Sequence, residues 1–382
     1  MKVIYIGCSL LQKKKLGVIN KLKSQFSEIK YNCPDSELVV FCEPSVAKTF
    51  NFDGVDVIEC KHRGIIAQIE FIIKFRRKCD AIFSLNDANT ILLCRMPPLG
   101  LIFPISFFKK SRSPKVVVEY NNMPDILNRN NLFILEYCLN KIFGPIIVKQ
   151  ADGIVGVTDE IVHKQLELAE GKSIKYITIG NGITTSCVRE KKFCSFDGTQ
   201  LNMITVGDIR DVMAIDRLLL GMAQYEGQVK IHLHIVGEGK SIRNLIDLSI
   251  KLNINNNVTF HGVLQNSELN ALFDICHIGM GALGPKRNNL TETTALKVRE
   301  YCARGCPFVL VGKDPDLDPN FSFCLRLPDN EEPIEINKII DFLHDLNDNP
   351  NYQHEIRSYA VSNLDWGVKM KKLCDFLQTI LL

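Results

Sequence analysis

The sequence predicts an α/β protein of two doubly wound, Rossmann-like domains that face each other across a cleft. Short runs rich in Val and Ile recur along the chain, each followed by a longer helical pattern. The runs are continuously apolar, which indicates strands buried on both faces and hence parallel sheets covered by helices. A length of 382 residues suits two domains. The predicted strands are KVIYIG, ELVVFCE, AIFSL, KVVVEY, GIVGV and YITIGNGI, then NMITVGDI, KIHLHIVGEG, VTFHGVL, IGMGAL and PFVLVG.

One polar stretch interrupts this series and divides the chain. Residues 184–200, TTSCVREKKFCSFDGTQ, have neither a strand nor a helix period, and we predict a linker there. The domains are then 1–183 and 201–358, followed by a last segment, 359–382, with an amphipathic helix that carries the only tryptophan, Trp366. Ligands of doubly wound sheets bind beyond the carboxyl ends of the strands, so the loops after strands are the candidate site.

Composition favours a soluble cytoplasmic protein. Apolar residues make up 46% and charged residues 23%, and the net charge of +3 is too small for a general nucleic-acid binder, although it suits anionic small molecules or an anionic membrane surface. The 14 cysteines are scattered without a C-x-x-C pair, which predicts reduced thiols and neither a disulfide framework nor a zinc site. The sequence also lacks the pattern of a signal peptide or a membrane-spanning helix.

Two loops after predicted strands could hold a nucleotide. In HIVGEGKSIRNL, Gly237 and Gly239 form a turn and Lys240 stands near the start of a helix, where unpaired N–H groups attract anions. An ordinary tight turn is the alternative, and Ile242 breaks the G-x-G-x-x-G dinucleotide fingerprint.

The second such loop, in VTFHGVLQ, offers Gly262, against which a base could lie. We expect the preceding His261 to be a hydrogen-bonded loop residue and not a catalyst, because no carboxylate is placed to pair with it.

The stretch TETTALKVREYCARGCPFVLVG, residues 291–312, concentrates charge in an apolar setting. Thr294 is a candidate cap for a helix over 295–304, Gly305 suits the left-handed position after it, and Pro307 prevents its continuation. Glu292 therefore lies in the loop before the helix. The predicted core face contains Ala295, Leu296, Val298, Cys302 and Ala303, and the opposite face Lys297, Glu300, Tyr301 and Arg304.

Arg299 falls on the core side of this helix. It either faces a ligand-lined cleft or pairs with a buried anion, because an unpaired buried charge is unfavourable. The N–H groups of 293–296, together with Lys297, Arg299 and Arg287, predict a diphosphate site, and a solvated helix with incidental salt bridges is the alternative.

These residues resemble the family 4 glycosyltransferases, retaining enzymes of the GT-B architecture. Glu292 and Glu300 match the family's E-x7-E motif, and LKVREYCARGCPFVLV resembles the L-K-x-x-E-Y-x-A-x-G-x-P variant of many capsule, exopolysaccharide and O-antigen transferases. The likeness is nearly complete over 150–312 and weak before it. It also includes ADGIVGVTDEI, YITIGNGITT, HIVGEGKSIRNL and NVTFHGVLQNSELNALFDICHIGMGAL.

The resemblance implies a role for each matched position. Glu300 would bind the nucleotide ribose, Glu292 the hydroxyls of the donor sugar, and the backbone of 293–296 the distal phosphate. The domain 1–183 would be the acceptor side, and 359–382 would cross back to it. We therefore expect catalytic roles for Glu292, Arg210 and Lys297, and donor binding by Gly207, Arg217, Gly237, Gly239, Lys240, His261, Gly262, Val263, Arg287, Thr293, Thr294, Ala295, Leu296, Arg299 and Glu300.

The sequence departs from the family at three places, one of which is the first loop, GCSLLQKKKLG, which lacks the family's usual glycine pair. VGDIRDVMAIDRLLLG has Asp208 and Met213 where the family's G-R-x-x-x-x-K-G loop has Arg and Lys, so Arg210, Arg217, Arg287, Lys297 and Arg299 would have to neutralise the diphosphate in another arrangement. Glu119 and Tyr120 stand where a catalytic histidine is often found.

The reaction implied is retaining transfer of a hexose-type sugar from a nucleoside diphosphate to an acceptor hydroxyl, in surface polysaccharide or glycolipid synthesis. We expect no metal or other cofactor, because basic side chains can stabilise the leaving diphosphate. The loop DPDLDP, 314–319, is expected to be a solvated turn. A nucleotide-sugar 2-epimerase and a non-catalytic nucleotide-sugar binder are the alternatives.

The acceptor is predicted from the first domain. Residues 94–115 join apolar and aromatic side chains to Lys109, Lys110, Arg112 and Lys115, a composition suited to an anionic membrane surface. A buried helix followed by a solvated basic loop is the alternative. On the membrane interpretation the acceptor is a lipid-linked oligosaccharide on the cytoplasmic leaflet.

Overall fold

The chain folds into two compact units. Unit 1 consists of residues 1–180 and 366–382, and unit 2 of residues 181–365. The structure is a computed structural model, and it describes residues 1–12, 16–62, 64–95, 114–121 and 131–382.

Unit 1 is built on a parallel sheet whose seven described strands follow the order β3-β2-β1-β4-β5-β6-β7. This is the doubly wound arrangement, in which the strand order reverses beside the first strand. The strands are β1 Lys2–Leu11, β2 Glu37–Cys42, β3 Val55–Glu59, β4 Thr90–Arg95, β5 Lys115–Tyr120, β6 Gly153–Gly156 and β7 Lys175–Thr178.

Helices cover this sheet, and the first and last helices of the chain pack together on one face of it. Trp366 and Phe26 are buried there against Tyr5 and Val117 of the sheet. The last helix therefore completes the core of unit 1. The described helices of unit 1 are α1 Leu16–Asn32, α2 Pro44–Ala47, α3 Gly64–Ser84, α4 Asn131–Gln150, α5 Asp159–Glu167 and, from the end of the chain, α12 Trp366–Leu381.

Unit 2 repeats the plan with a six-stranded parallel sheet in the order β10-β9-β8-β11-β12-β13. The predicted α/β class with two parallel sheets is confirmed. The strands are β8 Gln200–Val206, β9 Lys230–Val236, β10 Val258–Gly262, β11 Ile278–Met280, β12 Phe308–Val311 and β13 Cys324–Leu327. The helices are α6 Ile215–Ala223, α7 Ile242–Lys251, α8 Asn266–Ile275, α9 Leu296–Arg304, α10 Ile336–Leu346 and α11 Tyr352–Tyr359.

One predicted strand is wrong. AIFSL is the last turn of α3, because Phe75, Cys79 and Ile82 are buried at helical spacing and the apolar run continues their period. The strand that occupies this place in the sheet is β4, which begins after a short turn at Asp87 and whose TILLCR run was not singled out.

The segment predicted as a linker, 184–200, lies inside unit 2. Phe196 belongs to the core of that unit, and the Lys191 N–H donates to the carbonyl of Arg304 at 3.0 Å. Neighbouring elements therefore satisfy the polar backbone of this stretch. The passages between units lie at residues 180/181 and 365/366, because α11 and the π-helical turn Ala360–Leu364 also belong to unit 2.

None of the described helices is both long enough and apolar enough to cross a membrane.

Substituting Gly221 should destabilise unit 2. A Cβ on this residue of α6 would lie 1.9 Å from the carbonyl oxygen of Ile334, and backbone cannot move aside as a side chain can. We expect Gly221→Ala to lower the free energy of unfolding by about 1–3 kcal/mol in urea titrations. Gly17→Ala in α1 is the control, since a Cβ there meets nothing within 4 Å. Equal stability of the two variants would contradict the packing.

Candidate functional site

Backbone hydrogen bonds join the loops that follow β8, β9 and β10. Three neighbouring carboxyl ends are thereby held as one surface, at the edge of the sheet where doubly wound folds bind ligands. The bonds run from Gly207 N to Val236 O at 3.0 Å, from Ile209 N to Glu238 O at 2.8 Å, and from Gly237 N to Gly262 O at 2.7 Å.

Gly237 and Gly239 allow the loops after β8 and β9 to pack closely. A Cβ on Gly237 would lie 1.9 Å from the carbonyl oxygen of Gly207, and one on Gly239 would lie 2.1 Å from that of Ile209. Both loops therefore need glycine in order to approach each other. Their tight-turn geometry accounts for these glycines without a ligand, while Lys240 is exposed beside them.

Gly262 and Val263 face open space. A Cβ on Gly262 would meet no atom within 4 Å, although its φ of +64° favours glycine. The Val263 side chain is 68% exposed. This is an accessible surface of the kind that the predicted contact with a base requires, and that contact stays a prediction.

His261 lies in a row of three histidines on β9 and β10. Its Nε2 is 3.0 Å from Nδ1 of His234, whose ring centroid is 4.6 Å from that of His232. Burial, with smaller contributions from His232 and His261, lowers the pKa of His234 to about 4. His261 is thus a hydrogen-bonded histidine, as expected, but it lies on a strand and not in a loop.

Helix α9 brings Lys297 to the carboxyl end of β8. The buried ammonium donates to Oγ1 of Thr205 at 2.9 Å. Burial and Arg210 lower the pKa of Lys297 to about 7, and Asp208 opposes them. Arg210 itself is 3.1 Å from Asp208 and half exposed. Lys297 and Arg210 are therefore brought to one place. Thr205 was not predicted as a site residue. The feature that could have indicated it is its position next to the end of a predicted strand.

Glu292 lies in the loop before α9, as predicted, and its carboxylate is buried. Lys313, which follows β12, donates to Glu292 Oε1 at 2.8 Å. The backbone of Glu292 also bridges to Lys313, and the Thr293 N–H donates to the Lys313 carbonyl at 2.8 Å. Thr293 therefore has a protein partner for the N–H that was predicted to bind phosphate. Lys313 was not predicted as a site residue.

Glu300 lies on α9 and is held by the next turn of its own helix. Arg304 donates to Glu300 Oε1 from Nε at 3.1 Å and from Nη2 at 2.9 Å. Arg304 in turn donates to Asn270 at 2.7 Å and stacks over Phe273. The Glu300 side chain keeps 26% exposure, so this carboxylate is oriented and reachable.

The predicted start and faces of α9 need correction. The helix begins at Leu296 after Ala295, and Thr294 does not cap it; its side chain and carbonyl instead accept from Asn181, the carbonyl at 2.7 Å. Tyr301, placed on the exposed face, is fully buried and donates to the Met280 carbonyl at 3.0 Å. Burial extends almost around α9 because α11 packs on it.

Arg299 pairs with buried anions, which was one of its two predicted alternatives. Its guanidinium forms a bidentate pair with Asp314, contacts Asp316 at 2.5 Å and donates from Nε to the Asn181 carbonyl at 2.7 Å. Arg299 and Asp314 have fully buried side chains. The expectation that the turn at 314–319 is solvated is therefore wrong for Asp314, although Asp318 and Pro319 are exposed. Arg299 has no surface to offer a phosphate.

Arg217 is likewise committed inside unit 2. It is 2% exposed and donates to the carbonyls of Leu283 at 2.6 Å and Glu332 at 2.8 Å, and to the side chain of Asn330 at 2.7 Å. Three protein partners occupy its three nitrogens, so the structure does not present it to a ligand.

Arg287 ties the loop after β8 to the loop around residue 331. Its two terminal nitrogens each lie 2.8 Å from an oxygen of Asp216, and Nη2 lies 2.5 Å from Glu331. Hydrogen bonds from Arg287 to Asp216 and Glu331 raise its pKa above the ordinary value. Of the five basic residues predicted around the diphosphate, Lys297 and Arg210 are thus the two without such a commitment to several protein partners.

Within the described residues, no group of three His, Cys, Asp or Glu side chains could hold a metal ion.

The sequence of unit 2 matches a known family. Residues 189–314 match the model described as Glycosyl transferases group 1, and this range contains all the predicted site residues. No curated protein matches the chain.

Solved structures share the fold over the whole chain. HepE of Anabaena in complex with UDP and glucose has 12% identity and a TM-score of 0.69, covering 99% of this chain and 100% of that one. A glycosyltransferase from Rickettsia africae has 13% identity and a TM-score of 0.68, covering 100% and 98%. The lipopolysaccharide outer core galactosyltransferase WaaB in its apo form has 15% identity and a TM-score of 0.64, covering 99% of both chains. The fold is that of GT-B glycosyltransferases, and the family match supports a glycosyltransferase.

Arg299→Met should destabilise unit 2 strongly. It leaves Asp314 buried without its counter-charge, and we expect the free energy of unfolding to fall by about 3–5 kcal/mol in urea titrations. Arg189→Met is the matched control, because Arg189 pairs with Asp274 at 2.7 Å with its own side chain 41% exposed; we expect a change of about 0–1 kcal/mol. A loss below about 1 kcal/mol for Arg299→Met would contradict a structural role.

Unit 2 should lose stability as the pH falls from 6.5. Burial is the main cause that lowers the pKa of His234 and of His277 to about 4, against about 6.5 in the unfolded chain. Between these values the unfolded chain binds more protons, so the free energy of unfolding falls with pH by up to about 1.4 kcal/mol per unit for each histidine. The loss ends below the folded pKa.

This dependence can be measured by urea unfolding between pH 7.5 and 5, a window above the titration of ordinary carboxylates. His234→Gln should reduce the slope, and the same change at exposed His354 of unit 2 is the control. A wild-type stability that is flat across this window would refute the assignment.

Proposed function

We propose that this chain is a retaining glycosyltransferase that moves a sugar from a nucleoside diphosphate to an acceptor hydroxyl. The GT-B fold and the match of residues 189–314 to Glycosyl transferases group 1 support nucleotide-sugar transfer. The observation that carries the proposal is the buried Lys297 at the carboxyl end of β8, beside Arg210. Retention of configuration at the anomeric carbon is proposed from the sequence resemblance alone.

The charge that develops on the leaving group gives Lys297 its role. As the bond from the anomeric carbon to the diphosphate breaks, the diphosphate oxygen gains negative charge, and fixed positive groups stabilise it. With a pKa of about 7, Lys297 is partly deprotonated at neutral pH. A bound diphosphate would raise this pKa and favour the ammonium. Arg210, which is half exposed and paired with Asp208, can turn toward the same charge.

Lys297 and Arg210 could replace the two basic residues that the loop after β8 lacks. The family's Arg and Lys are replaced by Asp208 and Met213, but α9 supplies Lys297 to the same strand end, and Arg210 lies two residues beyond Asp208. Positive charge is thus present near the loop by a different route. We therefore favour an active enzyme over a non-catalytic binder.

The two glutamates would position the donor. Glu292 is held by Lys313 and is proposed to accept hydrogen bonds from the sugar hydroxyls, while Glu300 is held by Arg304 and is proposed to accept from the ribose. A carboxylate whose orientation is fixed before the ligand binds loses less conformational entropy on binding. The accessible backbone at Gly262 and Val263 is proposed to receive the base.

A UDP-hexose is the first donor to test, because HepE was crystallised with UDP and glucose. We propose synthesis of a surface polysaccharide or glycolipid, with transfer in the cytoplasm and without a metal ion. The predicted membrane-binding segment 94–115 lies mostly outside the described residues. Membrane contact and a lipid-linked acceptor therefore rest on the sequence alone.

Lys297→Met should abolish most turnover, because it removes a positive group that would bind and stabilise the diphosphate. We expect kcat/KM to fall roughly 10²–10³-fold, as when one donor to a developing oxyanion is removed. Release of UDP from UDP-sugars is measured in saturating EDTA, and binding of UDP and of uridine by thermal shift. The variant should lose stabilisation by UDP but keep any stabilisation by uridine. Lys286→Met, an exposed lysine of unit 2, is the control.

Three outcomes would overturn parts of this proposal. Activity that requires Mn²⁺ would contradict metal independence. A 2-epimerised donor without free UDP would favour the epimerase alternative, and donor binding without turnover for any acceptor would favour the non-catalytic one.

A further inference from the structure

Unit 1 contains a cluster of charged side chains at the carboxyl ends of two central strands. Arg95 is the last residue of β4, and Glu119 is its register neighbour on β5. Lys21 of α1 and Lys369 of α12 join them from the helices packed on that face. These four residues, Lys21, Arg95, Glu119 and Lys369, form the unit 1 charge cluster.

The carboxylate of Glu119 is held on both oxygens. The Tyr5 hydroxyl donates to Oε2 at 2.7 Å, and the Asn121 side-chain amide donates to Oε1 at 3.0 Å. The Lys21 ammonium donates to the other side-chain atom of Asn121, its Oδ1. Asn121 thus connects the anion and the cation, and the network is fixed before any ligand arrives.

Positive charge exceeds negative charge in this cluster. Lys21, Glu119 and Lys369 are 8%, 4% and 3% exposed, so among the described residues three basic side chains accompany one carboxylate in a largely buried setting. Burial lowers the pKa of Lys21 to about 7; Arg95 and Lys369 act in the same direction, and Glu119 opposes them. Burial raises the pKa of Glu119, but Lys21 and Arg95 outweigh it, and the carboxylate stays ionised.

One donor of the cluster lacks an acceptor. Nη1 of Arg95 is buried and has no hydrogen-bond partner among the residues that the structure describes. A buried donor without a hydrogen-bond partner is unfavourable. The segments that follow Arg95 and Asn121 in the sequence contain few acidic residues: 96–113 contains neither Asp nor Glu, and 122–130 contains only Asp125. Arg95 and Asn121 keep partial exposure in the part of the chain that the structure describes.

We propose that the unit 1 charge cluster binds an anionic group, a phosphate or a carboxylate, on the acceptor substrate. Arg95 Nη1 would donate to this anion, and the positive excess of the cluster would attract it. Glu119 would keep the cations ordered when the site is empty. The anionic site itself stands on unit 1 alone, and its assignment to an acceptor rests on the proposed glycosyltransferase function. A purely structural network would instead pair each buried donor.

Binding of small anions to the whole chain tests the site. Inorganic phosphate and glucuronate represent the two anion classes, and glucose is the neutral probe; each is added in thermal-shift and calorimetric titrations. Either anion should stabilise the wild type, and glucose should not. Stabilisation by neither anion would overturn the inference.

Four variants locate the binding. Arg95→Met should weaken anion binding roughly tenfold or more, while Arg77→Met, at an exposed arginine of α3, should leave it unchanged. Glu119→Gln removes the one negative charge and should strengthen anion binding, a direction that loss of a structural hydrogen bond does not produce. Anion binding that is unchanged in Arg95→Met, or weaker in Glu119→Gln, would refute the site.

The fourth variant separates this inference from the proposed function. Lys297→Met should lose stabilisation by UDP but keep the response to glucuronate, and Arg95→Met should do the reverse. If UDP stabilises the wild type and neither anion does, the inference fails and the proposed function stands. If glucuronate stabilises it through Arg95 and no nucleotide sugar is bound or turned over, the proposed function fails and the anion site stands.

Discussion

The placement of α9 in unit 2 depends on the buried pairing of Arg299 with Asp314 and Asp316. Nearly every side of this helix is covered, yet it carries four charged residues. Such a helix is stable in only one orientation about its axis, because turning it would bury its cations away from their partners. With Arg299 fixed by the loop after β12, Lys297 points to Thr205 on β8 and Glu300 stays at the partly exposed side. The geometry of the candidate donor site thus follows from an ion pair that faces no ligand.

The same principle explains why so few of the basic residues remain for a ligand. Arg217 and Arg287 each join separate loops through two or three protein partners, and this bonding holds the surface on which the others stand. Their guanidinium groups suit the task, since a planar fork can satisfy carbonyls and carboxylates at once. Rigid loops allow Lys297 to be placed before a ligand binds, which is the condition for electrostatic stabilisation of a developing charge.

The sequence predicted the fold well, because continuous apolar strands and helical periods are local properties. It failed at AIFSL, where an apolar run continued the helix period of α3 and the period alone could not separate the two. It placed Glu292 in a loop correctly, because the glycine and proline signals after it are also local. It could not assign the arginines: the partner of Arg299 is Asp314, in a loop beyond a strand, and only the tertiary fold brings Asp314 beneath the helix. Residue type shows that a buried charge needs an anion but not which anion it receives.

Lys297 in unit 2 and Lys21 in unit 1 show the same electrostatic state at the carboxyl ends of their sheets. Each is a buried lysine near an arginine, and burial is the main cause that lowers its pKa to about 7. Burial of a lysine ammonium is unfavourable in both units, and an apolar residue at either position would avoid this penalty. A bound anion favours the protonated lysine and raises its pKa. This charge interaction offsets part of the unfavourable burial of the ammonium and contributes to the binding energy of the anion. Each unit thus has one such lysine at the edge of its own sheet, and we propose that each lysine receives one negatively charged group. In unit 2 the negative charge is proposed to be that of the leaving diphosphate. In unit 1 it would identify the acceptor.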